Sequence, residues 1–194
     1  PRFSILILVW GTHQYLQKCL DSLAHQTCQD FELLVLDNGS KIPVDPKEVL
    51  TTPGISLRFF RNEQNLGFAG GNNLLAREAK GKYLVALNAD AFPEPDWLEQ
   101  VRLATEAHPK HFLASQLLLA SNPNLLDGEW NVYHASGLAW RRNHFKPVNS
   151  AELQEREVLS ACAAAGIYPK PAFDAVGGFD ESFFAYMEDI DLDF

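Results

Sequence analysis

Carboxylates crowd the C-terminal end of this sequence. Asp180, Glu181, Glu188, Asp189, Asp191 and Asp193 put six acids in fourteen residues, and no lysine or arginine follows Lys170. Met187, Ile190 and Phe194 recur at i, i+3 and i+7, the spacing of a helix beginning near Met187. Acids at a helix start are favoured by its dipole. Crowded carboxylates also repel one another, which raises a pKa toward that of a general base. Both readings fit. Asp189-x-Asp191-x-Asp193 also imitates the opening of an EF-hand, but Phe194 stands where the loop needs glycine and no glutamate follows, so calcium binding is rejected.

Three other segments carry polar groups that could act together. Asp90 follows the apolar run Tyr83–Leu87 through Asn88 and Ala89. It could hold Mg²⁺ or Mn²⁺ beside substrate phosphates, since Mg²⁺ takes few protein ligands, or it could open the turn into Phe92-Pro93. Asp37-Asn38-Gly39-Ser40 is turn chemistry and also an acceptor at a strand end; its formal glycosylation sequon is expected to be only a turn. Arg61 to Asn73 contains Gly67, Gly70 and Gly71 and matches neither a Walker A loop nor GxGxxG. Such a loop either offers free helix-start amides to an anion such as a diphosphate, or supplies positive φ angles and asparagine caps. The six histidines show no metal spacing, only His13 falls at the expected cleft, and no G-x-S-x-G elbow exists.

The elements that must position these groups alternate along the chain. Residues 3–9, 31–36 and 83–87 are short, nearly continuous apolar runs, which suit strands buried on both faces, and Ser56–Phe60 reads as another strand. Tyr15, Leu16, Cys19, Leu20 and Leu23 mark a helix, and residues 68–79 and 95–107 two more. The pattern predicts an α/β fold with a mostly parallel central sheet and helices on both faces. In such sheets ligands bind beyond the carboxyl ends of the strands. Trp10-Gly11-Thr12-His13, Asp37–Ser40, residues 61–73 and Asn88–Asp90 should therefore converge at one edge. Beyond residue 120 the expectation is a loop over Ser121–Asp127 and a hairpin or irregular strands over Trp130–Phe145, with Arg141-Arg142-Asn143 at a turn. A small-residue strand over Val158–Tyr168 then completes the same sheet.

Composition narrows the classes. The chain has 194 residues, about one domain's worth, with 46% hydrophobic residues and a net charge of −9. An acidic chain with no basic run is no candidate for nucleic acid. No apolar stretch reaches the ~18 to 20 residues of a membrane span. Three cysteines (Cys19, Cys28 and Cys162) fit no paired framework and suit a reducing, cytoplasmic compartment. A start on Pro1 and an end inside a helix-like stretch suggest a domain excerpt.

Taken in order, the motifs resemble those of family 2 glycosyltransferases of the GT-A fold, and are most similar to the rhamnosyltransferase-like branch. They are Ile5–Trp10 followed by Tyr15-Leu16-x-x-Cys19-Leu20-x-Ser22-Leu23-x-x-Gln26-Thr27; Leu36–Ser40; Asn62-x-x-Asn65-Leu66-Gly67-Phe68-Ala69-Gly70-Gly71-Asn72-Asn73; Leu87–Asp90; and Val176-Gly177-Gly178-Phe179-Asp180-Glu181 running on to Glu188-Asp189-x-Asp191-Leu192. The resemblance implies a single GT-A domain over 1–194. Residues 1–120 would be its nucleotide-sugar half, and residues 121–194 an incomplete acceptor and catalytic-base half.

It also implies roles. Thr12 and Asp37 would contact the nucleoside, and Asn65, Gly67, Gly70, Gly71 and Asn88 would line the nucleotide and diphosphate. Asp90 of Asn88-Ala89-Asp90, at the DxD position, would bind Mn²⁺ or Mg²⁺. Gly178 and Asp180 would shape the sugar and acceptor side, and Glu188-Asp189 would be the catalytic pair with Asp189 as base. The implied reaction is inverting transfer from a UDP-, dTDP- or GDP-sugar to a hydroxyl of a saccharide or lipid-linked acceptor. The implied setting is the cytoplasm, with peripheral association at the inner face of the membrane. The rivals are a non-catalytic nucleotide-sugar-binding module and a sugar-phosphate nucleotidyltransferase. The latter would need a Gly-rich, Arg/Lys-bearing N-terminal loop, which Trp10–His13 does not supply.

Overall fold

Strand β1 (Phe3–Val9) lies at the centre of the sheet because almost every one of its side chains is buried, whichever face it points to. The computed structural model describes residues 1–49, 55–151 and 154–194. In chain order the elements after β1 are α1 (His13–Ala24), β2 (Phe31–Asn38), the short α2 (Pro46–Val49), β3 (Ser56–Asn62), α3 (Gly67–Glu78), β4 (Tyr83–Asn88) and α4 (Trp97–Ala107). Short strands β5 (Leu113–Ala114), β6 (Leu117–Leu119), β7 (Asn122–Gly128), β8 (Asn131–Tyr133) and β9 (Ala139–Arg141) follow. Strand β10 (Ala165–Pro169) and helices α5 (Lys170–Ala175) and α6 (Glu188–Asp193) close the chain.

Among the described residues, one sheet runs β3-β2-β1-β4-β10-β5. The first four strands are parallel, and β10 is antiparallel to both its neighbours. Odd-numbered Phe3, Ile5, Ile7 and Val9 pack with Leu33 and Val35 against Leu16, Leu20 and Leu23 of α1 and Leu98 of α4. Even-numbered Leu6 joins Leu34 and Leu36 under Leu75 and Ala76 of α3 and Phe173 of α5. Covering both faces is what makes the strands read as unbroken apolar runs. Each such side chain, fully buried, contributes about 1.5–3 kcal/mol.

How a polar group is paired when buried among these strands is shown by Glu32. Glu32 accepts from Ser4 Oγ and the Lys80 amide, each at 2.7 Å, and from Arg58 at 2.9 Å. Burial by itself would raise its pKa, but these three donors outweigh it and hold the carboxyl below its usual range.

Two expectations for the second half need correction. Residues 122–128 are not a loop but strand β7, antiparallel to β6 through an irregular register that polar, proline-containing sequence does not advertise. The small-residue strand is confined to Ala165–Pro169, because Ala163 and Ala164 form a turn in front of it. That strand does join the sheet built by the first half, against β4. The expected hairpin is β8–β9, and residues 142–145 form a turn directly after it.

Candidate active site

Register aligns the strand ends. Val9 pairs with Asp37, Leu8 with Asn88, and Asp37 in turn with Arg61. The order reverses at β1, between β2 and β4, where doubly wound sheets open a crevice. A pocket of about 310 Å³ lies at this edge, lined by Trp10, Gly11, His13, Ser40, Lys41 and Ile42. Thr12 sits beside it as the residue preceding α1.

Asp37 is fully buried. Its Oδ1 accepts from the Ser40 amide at 3.0 Å, and its Oδ2 accepts from the Val44 amide at 3.0 Å and from Arg61. Burial would raise its pKa, but the Ser40 hydroxyl, the two amides and the Arg61 charge prevail and hold it low. Asp37 thus folds the 39–44 loop that forms the pocket wall. Gly39, at φ +78°, lets that loop pass the Gln64–Asn65 backbone, where a Cβ would come within 2.6 Å of Asn65 N.

The glycine-rich loop resolves toward the second of its two readings. Asn38 Oδ1 accepts from the Leu66 amide at 3.1 Å, Asn65 Oδ1 accepts from the Gly67 amide at 2.8 Å, and Asn38 Nδ2 donates to Asn65 Oδ1 and to the Gly67 carbonyl. The next two amides, of Phe68 and Ala69, donate to the carbonyl of Phe184. The first amides of α3 are therefore satisfied within the chain, contrary to the expectation of free donors for a diphosphate. Gly71 has a packing role as well: a Cβ there would lie 2.9 Å from Leu8, so glycine lets α3 approach β1. Gly70 faces Leu66 and the Glu181 carboxylate.

The acidic end of the chain meets the strand ends through one turn. Asp189 Oδ2 accepts from the Ala163 amide at 3.1 Å and from Asn131 Nδ2 at 2.9 Å. The Ala164 carbonyl of the same turn accepts from the Asn88 amide at 3.0 Å. The two-residue turn thus links half-buried Asp189 to Asn88, two residues before the exposed Asp90. Glu188, by contrast, is buried, and its Oε2 has no hydrogen-bond partner among the described residues. Burial pushes its carboxyl up to about 7. Asp193, which accepts from the Ala161 amide at 2.7 Å, is likewise pushed up by burial to about 6.

Gly178 and Asp180 frame the approach to this helix. Gly178 has φ +79°, and a Cβ there would strike Asn73 Oδ1 at 2.5 Å, so the position needs glycine on both counts. Asn73 clamps the Phe179 backbone, accepting from its amide at 3.0 Å and donating to its carbonyl at 2.8 Å. Asp180 caps the next turn by accepting from the Ser182 amide, which lowers its pKa.

Among the described residues, no three His, Cys, Asp or Glu side chains group to hold a metal. Asp90, exposed on the turn after β4, suits an ion that takes most of its other ligands from phosphates and water. Sequence reasoning missed Arg61, Asn131 and Ala163. Arg61 was legible as the residue opening the glycine-rich stretch, but nothing local marks an asparagine 58 residues before Asp189 as its partner.

The family model described as "Glycosyl transferase family 2" matches residues 4–165. The chain is 26% identical over 185 residues to a chondroitin synthase of Escherichia coli, covering 94% of this chain and 24% of that protein. It is also 26% identical over 102 residues to an uncharacterized glycosyltransferase of Haemophilus influenzae, covering 52% of this chain and 32% of that protein. The chain thus spans a third or less of the length of these relatives. Among solved structures, the mannosyltransferase PcManGT of Pyrobaculum calidifontis, in complex with GDP-Man and Mn²⁺, superposes with a TM-score of 0.70 at 17% identity. That match covers 99% of this chain and 50% of the other.

Proposed function

The chain belongs to glycosyl transferase family 2 and has the GT-A fold, and from that premise we propose that it transfers a sugar from a nucleotide-diphosphate donor to an acceptor hydroxyl. The observation that carries this reading is the Ala163–Ala164 turn, whose Ala163 amide holds Asp189 and whose Ala164 carbonyl holds the Asn88 amide. It brings a carboxylate, whose Oδ2 is held by two donors, to the edge where the parallel strands end.

In this reading the pocket beside Trp10 and Thr12 takes the nucleoside, with Asp37 fixing its wall. Asn65, Gly67, Gly70 and Gly71 set the position of α3 behind the nucleotide, and Asn88 borders the diphosphate. Asp90 would hold Mn²⁺ or Mg²⁺ together with the donor phosphates. When bound, such an ion neutralises charge gathering on the departing diphosphate. Asp189 accepts the proton of the acceptor hydroxyl, which attacks the anomeric carbon from the face opposite the leaving group, so the product is inverted. Asn131 and the Ala163 amide orient that carboxylate. Glu188, buried behind it, supports the helix start, and Gly178 and Asp180 border the acceptor side. Saccharide and lipid-linked hydroxyls both suit this chemistry; rhamnosyl donors, and work at the cytoplasmic face of a membrane, remain within the proposal.

Thermal unfolding with UDP, dTDP and GDP, each with and without Mn²⁺, tests the donor half. A ligand at 100 times its Kd adds about 2.7 kcal/mol, or roughly 5–10 °C for a chain this size. A shift with one nucleotide names the donor class, and no shift with any of them overturns the donor site. Asp189→Asn tests the base: it should abolish transfer while nucleotide binding persists, and full activity in that variant would remove Asp189 from the mechanism.

A further inference from the structure

Both oxygens of Asp37 are engaged inside the fold, by the Ser40 and Val44 amides and by Arg61. The carboxylate is fully buried and does not line the pocket at the strand ends. Another group must therefore read a base seated there.

The wall of that pocket is held in place. The two amides that Asp37 accepts from bracket Lys41, Ile42 and Pro43, so these three residues are tied at both ends. Ser40 Oγ fastens the same loop to the end of β1, lying 3.4 Å from the Gly11 amide and 3.4 Å from the Val9 carbonyl. A preformed wall lowers the ordering entropy lost on binding.

Lys41 is the part of this wall with no task in the fold. It is exposed and makes no hydrogen bond or ion pair among the described residues. The lining of Trp10, Gly11, His13, Ser40, Lys41 and Ile42 includes no Asp or Glu, in a chain with 25 of them against 16 Lys and Arg. Lys41 is its one permanent cation, set between the exposed apolar side chains of Trp10 and Ile42. An ammonium group offers three N–H donors and no acceptor.

We propose that Lys41 selects the nucleobase of the donor, by donating to a carbonyl oxygen on the base edge. The pocket then takes a base with an oxo group at that edge over its amino counterpart. Guanine O6 and the O4 of thymine or uracil accept hydrogen bonds, whereas cytosine N4 and adenine N6 carry hydrogens. An amino group turned to Lys41 sets donor against donor and leaves the ammonium without a partner. A diphosphate also attracts lysine, but its place in the reading above is by Asn88 and Asp90, at the end of β4 and not on the 39–44 loop. The inference rests on that reading of the pocket.

The test is calorimetric titration of the chain, in Mn²⁺ buffer, with two matched pairs: UDP against CDP, and GDP against ADP. Wild type is compared with Lys41→Met and Lys41→Glu, each checked for an unchanged unfolding midpoint. In the pair that binds, the oxo member should be at least about tenfold tighter. Lys41→Met should bring it down to the affinity of its amino counterpart. Lys41→Glu replaces a donor by an acceptor, so the preference within the pair should reverse.

Equal affinity of the oxo and amino members in wild type overturns the proposal. So does an unchanged oxo affinity in Lys41→Met, or an unchanged ratio in Lys41→Glu. A loss shared equally by both members overturns it too, because Lys41 would then attract the diphosphate and not read the base. Binding without discrimination leaves the transferase reading standing, whereas no binding by any of the four nucleotides overturns both.

Discussion

Gly67 and Phe184 meet so closely that a Cβ on the glycine would lie 2.3 Å from the Phe184 carbonyl oxygen. That oxygen accepts from the Phe68 amide at 2.6 Å and the Ala69 amide at 3.3 Å, closing the start of α3. The segment that supplies it is held in an uncommon conformation: Phe184, Tyr186 and Met187 all have positive φ, between 59° and 74°. Such residues persist only where the surroundings over-determine them. Here the pinning is by α3 at one end and by Asp189 at the other.

Gly67→Ala should therefore destabilise the fold by about 3 kcal/mol, from the left-handed φ of +73° together with the steric conflict. Thermal unfolding reads this as a midpoint roughly 6–12 °C lower. An unchanged midpoint would mean that Phe184 does not lie on Gly67 in solution.

Asp37→Asn should cost about 1–3 kcal/mol, because one of the two buried oxygens becomes an amide nitrogen that cannot accept from the Ser40 or Val44 amide. The pH sign follows from the depressed carboxyl of Asp37. Its contribution is complete above the unfolded pKa near 3.9 and is lost as pH falls through the lower folded value. Urea midpoints at pH 7 and pH 3 should therefore converge for wild type and variant at the acid end. A gap that persists undiminished in acid would argue against an ionised Asp37.

Much of this was legible because both faces of the sheet are covered. Burial leaves a residue-level trace in β1, β2 and β4, and the polar residues where each run stops mark the carboxyl edge. Asp37-Asn38-Gly39-Ser40 was readable as a turn because Gly39 needs φ +78°. The start of α3 was only half readable. Its asparagines announced caps, but the Phe184 carbonyl that takes the remaining amides comes from more than a hundred residues away. A separation of 58 residues hid Asn131 from Asp189. In β7, Pro123 and Asn124 masked a strand whose pairing is irregular and whose first residues are exposed.

Glu188→Gln should change the pH dependence of stability. The Glu188 carboxyl is raised from 4.5 to about 7 by burial, so between those values the folded chain holds a proton that the unfolded chain has released. That stabilisation is full below pH 4.5 and lost as pH rises through 7. The loss is on the order of 2–3 kcal/mol, and glutamine, neutral throughout, avoids it. The variant should match wild type at pH 4.5 and melt roughly 4–12 °C higher at pH 8. A lower melting point at pH 8 would show that Glu188 is ionised and paired.

Asn131→Ala should separate orientation of the proposed base from stability. Asn131 Nδ2 reaches Asp189 Oδ2 at 2.9 Å, but it also lies 3.2 Å from Ser160 Oγ and 3.3 Å from the Ala161 carbonyl. Removing it unties the carboxylate from β8 and costs about 1–3 kcal/mol of stability through the partners left behind. Ser160→Ala serves as the control, since it strips a partner from the same amide without touching Asp189. Misorientation of a reacting group costs on the order of 100-fold. In Asn131→Ala, kcat should fall by roughly 10- to 100-fold with donor KM unchanged. In Ser160→Ala, kcat should stay near wild type although stability drops. Equal loss of kcat in both variants, measured well below their melting points, would reduce Asn131 to a packing residue and leave the Ala163 amide as the contact that positions Asp189.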